Sequence, residues 1–303
     1  MLGAIPVTIA LSWTLGGALV AKVSPYVLSS SRLLIGAGIL LCFSSVRRSQ
    51  QEWTKGEMLV WWRNQFILAV TGRAIYYYLS SAALLTISPL DALLTTSLMP
   101  IFCLFIERAI GAKFKSPLVP ILAVLASACG FAAIFSSSSA PRNNALNFGH
   151  LEIVVAAISF AIHLSLYNRM SKDASPANPL LVQFAIGALL LLPADVEGYL
   201  AFYNFSSGDW LRFLTYSIVC NLLPFLFVHY SLRAFAPLSV SASLVVSPLV
   251  GIALAGLTSE AKVSPWFILF AIGSIALTWL VARLNMSKRV LVQKETICLD
   301  NGN

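Results

Sequence analysis

Apolar residues fall into ten long runs along the chain, at about 3 to 21, 25 to 44, 66 to 86, 89 to 107, 117 to 136, 149 to 168, 178 to 195, 211 to 234, 237 to 256 and 265 to 283. Polar residues gather in the short gaps between them. A hydrocarbon layer of about 30 Å takes about 20 mostly apolar residues of α-helix to cross, and the backbone must satisfy its own hydrogen bonds there. The pattern therefore predicts an all-α integral membrane protein with ten transmembrane helices. The first run, Gly3 to Ala21, has no basic lead-in and is long for a signal peptide, so it reads as a span.

Composition supports this reading. Only 11% of the 303 residues are charged and 58% are apolar, whereas a soluble domain carries about a quarter charged residues to meet water on all sides. The formal charge of +8 does not point to nucleic acid, because the cations form no stripe or tract. Of the 20 Lys and Arg, fourteen (Arg47, Arg48, Lys55, Arg63, Arg108, Lys113, Lys115, Arg169, Lys172, Arg233, Arg283, Lys288, Arg289 and Lys294) lie in alternate gaps and the tail. Four (Lys22, Arg142, Arg212, Lys262) lie on the other side, and Arg32 and Arg73 fall inside apolar runs. This asymmetry predicts that both termini are cytoplasmic, in a bacterial inner (plasma) membrane. Trp53, Trp61, Trp62 and Trp210 lie near run ends, where indole favours the interface. Cys42, Cys103, Cys129 and Cys220 fall within runs and Cys298 in the tail, with no CxxC pair, so they read as small buried residues and no metal or cofactor is expected.

The chain repeats itself. Residues 89 to 100 read PLDALLTTSLMP and residues 237 to 248 read PLSVSASLVVSP, an offset of 148; Ser12-Trp13 pairs with Ser159-Phe160 at 147. Each half holds five spans, and an odd number inserts the second half upside down, giving two inverted five-helix repeats. The expected units are 1 to 140, 141 to 286 and a cytoplasmic tail from 287 to 303, with the Ser136 to Ser139 run opening a linker between the halves.

At these residues the chain resembles the drug/metabolite transporter superfamily, specifically its EamA type, from about residue 3 to 285. The matching features are Ser12-Trp13, Arg32 within LSSSRLLIGAGILL, and AALLTISPLDALLTTSLMP. The second half adds YSLRAFAPLSVSASLVVSP, followed by Glu260. The chain departs from the family where the fourth span often ends in Gly-Glu and here reads Gly111-Ala112, and where Gln183 answers Arg32 in span 7. The resemblance implies that spans 1, 3, 4, 6, 8 and 9 surround a central cavity while spans 5 and 10 are peripheral.

A charge inside a span is costly, so Arg32 and Arg73 must pair, snorkel or face water. Arg32 reads as a structural or gating residue, and Arg73 is open to a cavity-facing role or a packing one. His163 and His229 read first as packing residues, although His229 shares its span with Asn221 and Tyr230. Trp13, Tyr77 and Phe160 offer rings for stacking or for holding a cation. The substrate-binding candidates are Trp13, Arg73, Tyr77, Asn221 and His229. Pro100 and Pro248, each eleven residues past a first proline, are either static kinks or a symmetric pair of hinges. Ser88-Pro89-Leu90-Asp91 has the layout of a helix start, which makes Asp91 a cap rather than a coupling carboxylate. Glu107-Arg108 reads as an interfacial ion pair.

These features predict a secondary transporter of small polar metabolites, amino acids or their derivatives, working by alternating access as a monomer or homodimer. A nucleoside-like zwitterion such as S-adenosylmethionine, which relatives can carry, is the alternative cargo. A membrane-embedded enzyme is the rival class, but the sequence has no HExxH, no GxSxG and no histidine pair at i, i+4. A channel would need a ring about an axis normal to the membrane.

Overall fold

The computed structural model describes residues 3–44, 54–96, 98–112, 116–135, 148–170, 177–192, 195, 197–258 and 265–284. Trp53, Arg47, Arg48, Lys113, Lys115, Arg142, Lys172, Ser259, Glu260, Lys262, the linker at 136–147 and the tail with Cys298 lie outside the described residues. The described chain is all-helical, with no strand element. Its α-helices are α1 (Ala4–Val20), α2 (Pro25–Ser44), α3 (Lys55–Ala69), α4 (Tyr76–Ala83), α5 (Pro89–Thr96), α6 (Met99–Ala109) and α7 (Leu118–Phe135). They continue as α8 (Phe148–Met170), α9 (Ala177–Leu191), α10 (Ser207–Ser217), α11 (Leu223–Ala234), α12 (Pro237–Leu244), α13 (Ser247–Thr258) and α14 (Pro265–Leu284). Three stretches, Pro25–Phe43, Phe148–Tyr167 and Ser207–Ala234, are each long and apolar enough on their own to cross a membrane.

Local chemistry sets several helix starts. Thr54 opens α3 with a capping box, its hydroxyl accepting from the Glu57 amide and the Glu57 carboxylate accepting from the Thr54 amide. The Thr54 amide and hydroxyl, both donating to the exposed Glu57 carboxylate, hold it below its ordinary range. Ser206 and Asp209 repeat the device at α10. At α5 the Ser88 hydroxyl accepts from the Asp91 amide at 3.1 Å and donates to the Asp91 carboxylate at 2.8 Å, so Asp91 is engaged at the helix start. Gly111 ends α6 in the left-handed region at φ +76°, with the Ala112 amide reaching back to the Glu107 carbonyl at 2.8 Å.

Two π turns interrupt the regular ladder. Val70–Ile75 joins α3 to α4 and Ile218–Leu222 joins α10 to α11, so each pair forms one continuous helix. Their starts are 148 residues apart, the offset of the sequence repeat, which makes Arg73 and Asn221 equivalent positions. The two proline-rich spans break at equivalent places as well. Pro100 and Pro248 each stand second in a new helix, α6 and α13, rather than in the middle of a continuous one. Ahead of each, the turn tightens to i→i−3 bonds, Leu98 to Thr95 and Val246 to Ser243. A missing amide costs nothing in a first turn, so the kink expected within one helix is instead a junction between two.

The packing follows the same two-fold. α2 lies against α9 and α7 against α14, each helix meeting its own repeat mate. α1 packs on α11 and α13, and its counterpart α8 packs on α4 and α6. α1 and α8 are thus central, and their inward faces carry Trp13 and Phe160, at 5% and 2% exposure. Two readings of single residues need correction. Glu107 is buried and makes no ion pair with Arg108 among the described residues, because adjacent side chains on a helix diverge by about 100°. Cys42 is exposed rather than buried.

Candidate functional site

α1, α2, α4, α8, α10 and α11 converge on a small cavity. Trp13 and Ser12 come from α1, Arg32 from α2, Tyr76, Tyr77 and Ser80 from α4, Phe160 from α8, and Tyr216 from α10. Cys220 on the second π turn and Phe225 on α11 also line it, with apolar Ile9, Leu84, Pro224 and Val228 between them. Six aromatic side chains contribute to its wall. Tyr76 stacks on Phe160 with ring centres 4.6 Å apart, and Tyr77 lies 5.5 Å from Phe225.

Arg32 is the cation of this cavity. Its guanidinium sits 3.9 Å over the Tyr77 ring and 4.8 Å over Tyr216, and donates to the Tyr216 hydroxyl. It is 4% exposed, its Nε has no partner, and no carboxylate pairs with it among the described residues. Desolvating a guanidinium without an anion is expensive, and a buried cation–π contact returns about 2 kcal/mol. Two aromatic contacts offset part of the cost, leaving a cation short of an anion. Asn221 fixes the frame around it, accepting from the Tyr77 hydroxyl and donating to the Arg32 carbonyl at 3.0 Å.

A second cluster lies behind the aromatic wall. Arg73, fully buried on the first π turn, has its guanidinium 3.9 Å over Phe225 and 4.9 Å over Phe184. It donates to the Gly72 carbonyl at 3.0 Å and to Gln183 Oε1 at 3.3 Å, and Gln183 in turn donates to Gln65 at 2.8 Å. Arginine has only donors, so Gln183 must present its oxygen to Arg73 and its nitrogen to Gln65, whose oxygen accepts from it. His229 lies 3.5 Å from Arg73 and 3.3 Å from His163, whose Nδ1 is 3.0 Å from the Leu68 carbonyl. A Cβ at residue 72 would collide with the His163 ring, so glycine is what allows the ring to reach this backbone.

The structure thus gathers Trp13, Tyr77 and Arg32 at the cavity and assigns Arg73 and His229 to the cluster behind it, while Asn221 braces Tyr77 and Arg32 without lining the space. Pro100 and Pro248 are buried at the helix junctions, away from the cavity lining. Sequence reasoning missed Tyr216, Phe225, Ser80 and Gln65. Nothing in the sequence pattern marks these as inward-facing except the repeat itself, which pairs Tyr77 with Phe225.

Comparison with known proteins agrees with this architecture. No curated protein sequence matches this chain. A solved structure titled only "Crystal structure of protein" superposes with a TM-score of 0.65 at 16% identity, over 93% of this chain and 97% of that one, so the two share a fold. The model of the EamA-like transporter family matches twice, at residues 1–138 and 147–283, together nearly the whole chain. The chain therefore belongs to the EamA-like transporter family, an integral membrane transporter family of the drug/metabolite transporter superfamily.

Proposed function

We propose that this chain is a secondary transporter that moves small carboxylate-bearing metabolites, amino acids or their derivatives, by alternating access between two inverted five-helix halves. The observation that carries the reading is Arg32: a buried guanidinium on the wall of an aromatic cavity, with no carboxylate partner among the described residues. A substrate carboxylate would supply the missing anion, and the neighbouring rings would take an apolar or planar body. This reading counts ten crossings. α5 and α6, with 8 and 11 residues, are each too short for a layer of about 30 Å at about 1.5 Å per residue, and cross only as a pair. The same holds for α12 with α13. The halves would then be residues 1 to 140 and 141 to 286, with both termini on the cytoplasmic side of a bacterial inner membrane.

The rings favour a second cargo. Trp13, Tyr76 and Phe160 all line one cavity, and aromatic side chains there suit the base of a nucleoside-like zwitterion such as S-adenosylmethionine. Counterflow uptake into proteoliposomes separates the two: one set is preloaded with pooled L-amino acids, another with pooled nucleoside metabolites. The account expects accumulation with the first pool. Accumulation with the second alone would select the alternative.

A further inference from the structure

We propose that His163 and His229 form a proton-binding pair, coupled through Arg73 to a carboxylate in the cavity, so that substrate and proton cross the membrane together. The inference rests on the transporter reading above. It begins with hydrogen-bond accounting. The Leu68 carbonyl can only accept, so His163 Nδ1, 3.0 Å away, carries a hydrogen. A neutral His163 then has a bare Nε2. That atom faces His229 Nε2 at 3.3 Å, and two bare nitrogens at this distance repel, so one proton lies between them, on His229. Arg73, at 3.5 Å from the same His229 nitrogen, faces an N–H and cannot donate to it. His229 Nδ1 is left as an acceptor, fully buried and without a donor among the described residues. It is the place for an incoming proton, which would convert His229 to an imidazolium still bonded to His163 through Nε2.

What opposes that proton is Arg73. Both rings are fully buried, and a second positive charge beside the guanidinium meets little screening. The other groups around the pair do not compensate. Tyr167 stacks on His229 at 4.1 Å, Tyr76 and Tyr77 lie on α4, and Arg233, at the end of α11, adds a further positive field. α6 brings Cys103, Glu107 and Arg108, with the Glu107 carboxyl toward Arg169. α5 brings Asp91, engaged with Ser88, and the π turn before α11 brings Cys220. On α3, Lys55, Glu57 and Arg63 are exposed, and α1, α9 and α12 carry no titratable side chain. Among the described residues no carboxylate faces either ring.

The missing negative charge can come from the cavity. Phe225 forms part of its wall, and Arg73 lies 3.9 Å over the same ring, so a carboxylate in the cavity is one ring away from the guanidinium. A carboxylate there would offset the Arg73 field and favour the proton, and by linkage the proton would favour the carboxylate equally.

Protein labelled with 15N-histidine, held in lipid nanodiscs and followed by NMR from about pH 8 to about pH 5, tests the pair without any substrate. Without substrate, the rings of His163 and His229, assigned through His163→Gln and His229→Gln, should stay neutral in the wild type, because nothing offsets the Arg73 charge, and should take up one proton in a shared step in Arg73→Gln. Arg73→Gln should raise the proton affinity of the pair by about tenfold or more. Rings that stay neutral in Arg73→Gln as well overturn the proposal, whatever the protein carries. The coupling is read in vesicles holding a pH-sensitive dye. Net uptake of pooled L-amino acids into vesicles holding no substrate should move protons inward in the wild type, and His163→Gln should lose that proton movement about tenfold while counterflow exchange falls less than about threefold. Unchanged proton movement in the variant also overturns the proposal. Failure of the wild type to exchange the pool would contradict the amino-acid reading instead, and the NMR titration alone would then decide the proton pair.

Discussion

Two arginines inside apolar runs are the most informative residues of this chain, and their surroundings separate their roles. Arg32 lines the cavity, while Arg73 sits behind Phe225 among amides and imidazoles. Arg32→Gln is expected to lower substrate exchange by about tenfold or more, the size of a lost charge-assisted contact. Arg32→Lys should not restore it, because an ammonium lacks the flat face that lies on Tyr77 and Tyr216. Both are read by counterflow in vesicles with matched protein content. Gly72→Ala should destabilise the protein by about 1 to 3 kcal/mol, seen as a lower Tm, since the added methyl would meet the His163 ring. Asp91→Asn should keep transport and cost under about 1 kcal/mol, because its engagement with Ser88 is local. Loss of transport at normal expression would reveal a coupling role for Asp91. The charged residues were legible in the sequence because a charge in an apolar run stands out. Tyr216 and Phe225 were not, because an aromatic residue in an apolar helix looks the same whether it faces lipid, a neighbour or a cavity.

At the scale of elements, the apolar runs and the proline repeat were legible, and the interruptions within the helices were not. A π turn needs one extra residue in the ladder, and nothing in VTGRAI or IVCNL announces it. The result is nevertheless symmetric, and it puts Arg73 and Asn221, each making contacts to the opposite half, at equivalent places. The prolines were found by spacing but misjudged in geometry, because sequence alone does not say whether the helix runs through the proline or restarts before it. A restart leaves the carbonyls of Thr96 and Leu244 without the amide four residues on, so the junction is a weak point between two short rods. Pro100→Ala and Pro248→Ala should each fuse those rods, so that the protein folds normally while turnover falls more than substrate binding. Single-turnover and equilibrium-binding measurements on the same preparations check this. Unchanged turnover in both variants would make the junctions passive.

For the whole molecule, the two-fold is the organising feature. The same offset relates the prolines, the π turns and the helix pairs that surround the cavity, and the inverted arrangement proposed for the two halves would let one site face either side of a membrane. The cation asymmetry then predicts that a tag at the C-terminus is reached by protease only from the cytoplasmic side, and a tag accessible only from outside would reverse the orientation. The central claim is that the Arg32 cavity carries a substrate carboxylate across the membrane. Counterflow of labelled pooled L-amino acids into preloaded proteoliposomes tests it most directly. The account predicts accumulation above empty vesicles that is lost in Arg32→Gln. Accumulation that is equal in the wild type and this variant would contradict it, as would none at all from either pool in the wild type.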